Sequence, residues 1–295
     1  MSINTNIKGR LRTMEILVFS KNRPMQLHGY LEGLLRFSEI DPAKISVLYT
    51  HSDNVPYNKV IDNFPEINWI QEIDFDDQLR DWVNTVNDEY VMFGCDDVVF
   101  KNRFNIEEIE DFLSDYSNIF GFSLRLGTNI TGFPENADLI RRYKNNTIRQ
   151  YWIWNWKSDE IDDFHYPWEL DCTIYRIEDV KSIVNYYFMQ PIINPNDFED
   201  IGNRFKLPFK WSLSCYNCPS QAFVITVNRV QETHLNPVDE RYQTDVELLS
   251  HLYNDKNYTM DINKISAKGN TEVHVNADYL ILKPEYDFKE KTNEK

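Results

Sequence analysis

Along the first half of the chain, apolar residues gather in short runs divided by polar turns. MEILVFS (14–20) is continuously apolar, the pattern of a strand covered on both faces. KNRP follows, with Pro24 suited to a first helical turn, and Leu27, Leu31, Leu34 and Leu35 then recur at helical spacing. ISVLYT (45–50) and INWIQ (67–71) read as second and third strands. Between Asp74 and Glu89, Leu79, Trp82, Val83 and Val86 mark one face of an amphipathic helix. EYVMFG reads as the fourth strand, Ile106, Ile109, Phe112 and Leu113 as another helix, and IFGFSLRL (119–126) as a further strand. This alternation predicts an α/β fold, a mainly parallel Rossmann-like sheet flanked by helices. Ligands on such sheets bind beyond the carboxyl ends of the strands. Three polar clusters fall there: SKNRP, THSD and CDD.

The second half is less regular. YWIWNW (151–156) puts Trp152, Trp154 and Trp156 on one face of an extended segment. Core packing is the favoured reading of these rings, and a platform for sugar faces is the other. WELDCTIYR (168–176) predicts a strand, Val180, Ile183, Val184 and Tyr187 a helix face, and NPNDFEDIGNRF (194–205) a helix start burying Phe198, Ile201 and Phe205. From about Arg241 the chain turns polar and Asn/Lys-rich, with one short helix and one short strand, and its last ten or so residues read as disordered.

Composition narrows the function classes. Hydrophobic residues make up 42% of the 295, enough for a sizeable core, while 47 acids against 31 basic residues leave a net charge of -16. That balance argues against nucleic acid and against a nonspecific grip on an anionic membrane surface. No apolar stretch reaches spanning length, which leaves peripheral contact with a membrane open. The initial run breaks at SKNRP with no small-residue cleavage site, so no signal peptide is expected. Four cysteines, with Cys215 and Cys218 in a lone C-x-x-C, suit reduced thiols in a cytoplasmic protein. No G-x-G-x-x-G or P-loop follows any strand, which argues against dinucleotide and Walker-type sites.

Asp96 and Asp97 close the fourth strand. Adjacent acids at the rim of a buried sheet repel and are costly to desolvate unless a cation or water compensates. A solvated turn is one reading; the other is a site for a hard divalent cation, Mn2+ or Mg2+, which prefers oxygen ligands.

A first strand leading into N-R-P, a fourth strand ending in an acidic pair, LDCTIYRIEDVKSI, and FEDIGNR together resemble the GT-A fold glycosyltransferases that use nucleotide sugars. The likeness covers about residues 14 to 205 and reaches towards 240. It departs from a strict D-x-D, because Cys95 stands at the first acidic place. It implies an N-terminal arm (1–13), a glycosyltransferase domain (14–240) with a donor half (14–126) and an acceptor half (127–240), and a C-terminal extension (241–295). The implied reaction moves a sugar from a nucleotide diphosphate to a hydroxyl or saccharide acceptor, in a setting such as glycan or polysaccharide biosynthesis. In it a divalent cation steadies the diphosphate leaving group. By resemblance Asp97 ligates the metal, and Asp96 assists or contacts the ribose. Lys21 and Arg23 contact the nucleotide, Asp53 the base or ribose, and Arg125 the phosphates. His234, in QETHLNP, is a candidate third metal ligand, with His274 competing. The general base falls at the FEDIGNR helix start. Asp200 is favoured there, because Glu199 fits the third position of a capping box opened at Asn196; Glu199 and Asp171 stand behind it. A sugar nucleotidyltransferase and a non-catalytic carbohydrate-binding protein are the rival readings. The first lacks a Gly-rich loop after the first strand; the second would turn nothing over.

Overall fold

The computed structural model describes residues 14–144, 147–157, 162–187, 191–204, 210, 212–228 and 245–285. Its strands are β1 (Met14–Lys21), β2 (Ile45–Thr50), β3 (Asn68–Gln71), β4 (Tyr90–Cys95), β5 (Val98–Phe100), β6 (Ile119–Ser123), β7 (Asp138–Lys144), β8 (Thr147–Asn155), β9 (Thr173–Arg176), β10 (Ser212–Tyr216), β11 (Ala222–Thr226), β12 (Tyr258–Met260), β13 (His274–Asn276) and β14 (Leu282–Pro284). The helices are α1 (Pro24–Ser38), α2 (Asn58–Asn63), α3 (Phe75–Thr85), α4 (Ile106–Asp115), α5 (Ile177–Ser182), α6 (Pro195–Arg204), α7 (Val246–Asn254) and α8 (Ile262–Ser266).

A nine-stranded sheet runs β3-β2-β1-β4-β9-β6-β10-β8-β7. Among its strands only β9 and β8 run against the rest, so the sheet is mainly parallel, as the alternation predicts. The continuous apolar run of β1 has a simple cause. Ile16 and Val18 enter one core with Leu27, Leu31 and Leu34 of α1. Leu17 and Phe19 enter the other with Leu79 and Val83 of α3 and Phe198 of α6.

Two expectations are corrected. The strand predicted over 168–176 is shorter, because Cys172 adopts a left-handed φ of 73° and the ladder begins only at Thr173. Such a φ is uncommon for a residue with a side chain. Here the Cys172 amide donates to the Phe93 carbonyl at 2.9 Å, so the kink is tied to β4. The predicted single helix and strand after 241 are in fact α7, α8 and three short strands. Leu249, Tyr253, Met260, Ile262 and Ile265 pack into the α1 core, and β13 pairs with β11 beside β5. Those apolar residues come singly or in pairs among polar ones, which hides their burial from a reading of longer runs. Residues 286–295 lie outside the described residues.

Candidate active site

The three polar clusters meet at the carboxyl ends of β1, β2 and β4. Asn22 takes a left-handed φ of 56°, its amide donates to the Thr50 carbonyl at 3.1 Å, and its side-chain oxygen accepts from the Ser52 amide at 2.8 Å. The Asp96 amide donates to the Phe19 carbonyl at 3.2 Å. These ties bring the acid pair against the loop that follows β1.

Arg23 organises what lies there. It is buried, and its Nη1 donates to Asp96 Oδ1 at 3.0 Å and to Asp97 Oδ2 at 2.8 Å. Its Nε donates to Asn228 Oδ1 at 2.8 Å and its Nη2 to the Asn228 carbonyl. The Arg23 amide donates to the Tyr57 hydroxyl at 2.9 Å, which lies 2.7 Å from Ser20 Oγ. Asp96 is 3% exposed, and its Oδ2 accepts from Ser20 Oγ at 2.8 Å and from the Lys21 amide at 3.2 Å. Both Asp96 oxygens are therefore engaged. Asp97 is more open: its second oxygen makes no hydrogen bond to a described residue, and its side chain is 19% exposed. Burial raises the Asp96 carboxyl to about 6 against the pull of the Arg23 charge, with Asp97 adding to the rise. Burial also works against charge on Arg23, but the two aspartates outweigh it and hold the guanidinium ionised.

A second cluster surrounds Arg125, just beyond the end of β6. Its Nη1 lies 3.5 Å from Asp163 Oδ1, and its Nε lies 3.4 Å from Glu169 Oε2 without hydrogen-bond geometry. Glu169 Oε2 accepts from the Asp171 amide, while Glu169 Oε1 is buried with no hydrogen-bond partner among the described residues. The kink at Cys172 turns this segment towards the end of β4, where Cys95 Sγ lies 3.8 Å from the Leu170 carbonyl. Burial raises Asp171 to about 6; Arg125 opposes the rise and Asp97 reinforces it. His274 Nε2 lies 3.5 Å from Arg125 Nη1, and burial and then the Arg125 charge lower its pKa.

The start of α6 completes this cluster. The helix opens two residues earlier than the capping pattern predicts. Asn194 is its cap, accepting from the Asp197 amide at 3.0 Å, and Asp197 Oδ2 returns to the Ile193 amide at 3.3 Å. Glu199 thus has no part in the cap. Burial, then the charges of Asp171 and Glu169, raise its pKa well above the usual carboxylate range. Asp200 is half-buried on the same turn and contributes to the field at Tyr166. The helix is held by Trp168, whose Nε1 donates to the Phe198 carbonyl at 3.0 Å. A Cβ on Gly202 would lie 2.1 Å from the Trp168 ring.

Of the other candidates, Lys21 is an exposed side chain whose amide serves Asp96, and Asp53 is exposed in the turn after β2. His234 lies outside the described residues, as does Phe205. Trp154 and Trp156 are core, at 1% and 4% exposure, while Trp152 is half-buried and donates to Asn217 Oδ1 at 2.7 Å. Among the described residues no group of three or more His, Cys, Asp or Glu is disposed to hold a metal ion. Reading the sequence missed Tyr57, Asn228, Asp163, Tyr166 and Glu169. For Glu169 a signal existed: in WELDC two acids alternate with Trp168, Leu170 and Cys172, all of them buried. For Asn228, 205 residues from Arg23, there was none.

No family model matches the chain. Its sequence is similar to the bifunctional glycosyltransferase pgtA of Dictyostelium discoideum, 34% identical over 277 residues, an alignment covering 82% of this chain and 36% of that protein. The chain is a homologue of a glycosyltransferase. It spans about a third of the length of that curated relative. Solved structures with a similar course include S. aureus TarS (residues 1–349) in complex with UDP, at a TM-score of 0.45 and 11% identity, covering 82% of this chain and 67% of that one. The mannosyltransferase PcManGT from Pyrobaculum calidifontis, in complex with GDP-Man and Mn2+, has a TM-score of 0.39 and 10% identity, covering 70% of this chain and 55% of its own. A cytidylyltransferase from Leptospira borgpetersenii has a TM-score of 0.40 and 12% identity, covering 71% and 77%.

Proposed function

We propose that the chain is a glycosyltransferase that moves a sugar from a nucleotide diphosphate sugar to a hydroxyl acceptor, a saccharide in glycan biosynthesis. The observation that carries this reading is the meeting of an acid pair at the end of β4 with a second acidic cluster at the start of α6, in a homologue of a glycosyltransferase. One cluster suits the donor diphosphate and its cation; the other suits the acceptor hydroxyl. The hard oxygen donors fit Mn2+ or Mg2+. Asp97 is the carboxylate with an oxygen to spare, whereas Asp96 is committed to the loop after β1. When bound, the cation would supply Lewis-acid stabilisation of the leaving diphosphate, whose oxygens and water would complete a shell that Asp97 begins. Lys21 and Asp53, exposed beside the site, suit contacts with the nucleotide.

The acceptor must lose a proton as its oxygen attacks the sugar carbon. Burial and the neighbouring acids favour the protonated form of Glu199, which suits it to the role of hydrogen-bond donor. Asp200, on the same turn of α6, is the proposed base. No helix among the described residues is long and apolar enough to cross a membrane. With its four cysteines free, a cytoplasmic setting is proposed. A carbohydrate-binding role has less to stand on, since two of the three tryptophans are core. A panel of nucleotides and nucleotide sugars, each with and without Mn2+, tests the reading by thermal shift followed by assay of donor hydrolysis. The expected result is Mn2+-dependent stabilisation by one nucleoside diphosphate class and slow turnover of its sugar. No stabilisation across the panel overturns the reading.

A further inference from the structure

Arg23 stands in an unusual place for a group expected to touch a nucleotide. A single nitrogen, Nη1, reaches both Asp96 and Asp97, at 3.0 and 2.8 Å, and the remaining nitrogens are spent on Asn228. The guanidinium is thus already the counter-ion of the acid pair. A divalent cation on the same Asp97 carboxylate would sit beside a fixed positive charge in a buried site, where like charges repel strongly. Neighbouring Asn228 carries a second sign of an absent partner. Its Oδ1 accepts from Arg23 Nε at 2.8 Å and lies 3.4 Å from Gln26 Nε2, so two donors set the orientation of the amide. That orientation leaves Asn228 Nδ2 buried, in a residue 3% exposed, with no acceptor among the described residues. A buried donor of this kind is costly unless something supplies an oxygen.

The geometry points to an exchange of counter-ions. We propose that Arg23 neutralises Asp96 and Asp97 before the donor arrives, and yields Asp97 to a divalent cation only when a diphosphate offers the guanidinium and the Asn228 amide new oxygens. A diphosphate is suited to this, because a guanidinium forks onto phosphate as readily as onto carboxylate. Cation and nucleotide then bind as a pair, each tightening the other by the same factor. The metal alone is held off. This rests on the reading of the acid pair as a donor site, and goes beyond it by assigning the order of events to one side chain.

Mn2+ binding is the direct test, measured by calorimetry or by the spin-resonance signal of free Mn2+, without nucleotide and then with UDP or GDP. The parent should bind Mn2+ weakly alone and tightly with the nucleotide. In Arg23→Met, which keeps the stem and loses the charge, Mn2+ alone should bind about tenfold tighter, the scale of one charge-assisted hydrogen bond. The gain on adding nucleotide should shrink accordingly. Equal Mn2+ affinity in parent and variant without nucleotide overturns the exchange while leaving the donor site standing. No Mn2+ binding to the parent with either nucleotide overturns the donor-site reading and the exchange with it. Should Arg23→Met fail to fold, Asn228→Ala carries the test, since it removes the Nε acceptor and loosens Arg23. Mn2+ alone should then bind about threefold tighter, the lower end of what one hydrogen bond is worth, and unchanged binding overturns the proposal.

Discussion

Two arginines, Arg23 and Arg125, are buried at the same edge of the sheet, and each is surrounded by acids, but the two neighbourhoods are balanced differently. Arg23 faces two carboxylates, Asp96 and Asp97, and hydrogen-bonds both; Asp96 has both of its oxygens used. Arg125 is under the influence of Asp163, Glu169, Asp171 and Glu199, makes only long ion pairs among the described residues, and leaves Glu169 Oε1 without a hydrogen-bond partner there. In the first region one guanidinium binds both acids, and Asp97 keeps an oxygen to spare. The second carries more negative charge than one guanidinium can neutralise, and it answers by holding protons: burial and mutual repulsion raise Glu169, Asp171 and Glu199 together. A site that must hold a fixed ligand is served by the first kind of balance. One that must move a proton is served by the second.

The largest expected effect breaks that balance. Arg125→Leu removes the one guanidinium the acids share and should cost about 3 to 5 kcal/mol, the loss seen when one partner of a buried ion pair is taken away. The loss should shrink as the pH is lowered and the acids protonate, which urea denaturation at pH 5 and pH 7.5 would reveal. A variant as stable as the parent at both pH values would mean that the acids do not depend on Arg125.

Next comes the base. Asp200→Asn should lower sugar transfer by roughly two orders of magnitude while leaving donor affinity unchanged, in line with general-base contributions. Near-normal transfer would turn attention to Asp171, with Glu199 behind it.

The third effect separates the clusters by pH. In the folded chain Asp171 titrates at about 6, above its unfolded value, so its contribution is fully present below the unfolded pKa and is lost as pH rises through about 6. Relative to Asp171→Asn, the parent should lose about 2 kcal/mol between pH 4 and pH 7, the scale set by a shift of this size. Parallel stability curves for the two proteins would remove Asp171 from the account.

The smallest effect is mechanical. Gly202→Ala adds a Cβ that would meet the Trp168 ring at 2.1 Å, so α6 must shift. A cost of about 1 to 2 kcal/mol in stability is expected from such overpacking, read as a lower Tm. Transfer should fall more than donor binding, because α6 carries acids of the second cluster and none of the first. Equal losses in both would show that the two regions are mechanically one.

Much of the first region was legible and little of the second. The apolar run of β1 and the acid pair closing β4 are local signals, and the turn between strand and helix marks where a ligand would lie. What Arg23 does there was not legible, because its partners stand 73, 74 and 205 residues away. The second cluster depends on a backbone event, the left-handed Cys172, which no composition announces. The α6 cap was misjudged for a subtler reason. In NPND both Asn194 and Asn196 can open a helix, and only Pro195 at the first helical position decides for Asn194. That two-residue difference decided whether Glu199 served the helix or the site.

β1 carries a consequence for how the molecule comes apart. Its even residues Ile16 and Val18 belong to one core, and its odd residues Leu17 and Phe19 to the other. Its edges are hydrogen-bonded to β2 and β4 along most of its length. Neither core can loosen without exposing half of this strand, and neither neighbour can peel away without the other core feeling it. The amides of Ile16 to Phe19 should therefore exchange with solvent deuterium only through global unfolding, the slowest class in the protein. The outer hairpin of β7 and β8, with exposed residues such as Tyr143 and Ile148, should exchange far sooner through local opening. The strand that delivers Arg23 to the acid pair is thus also the last to let go.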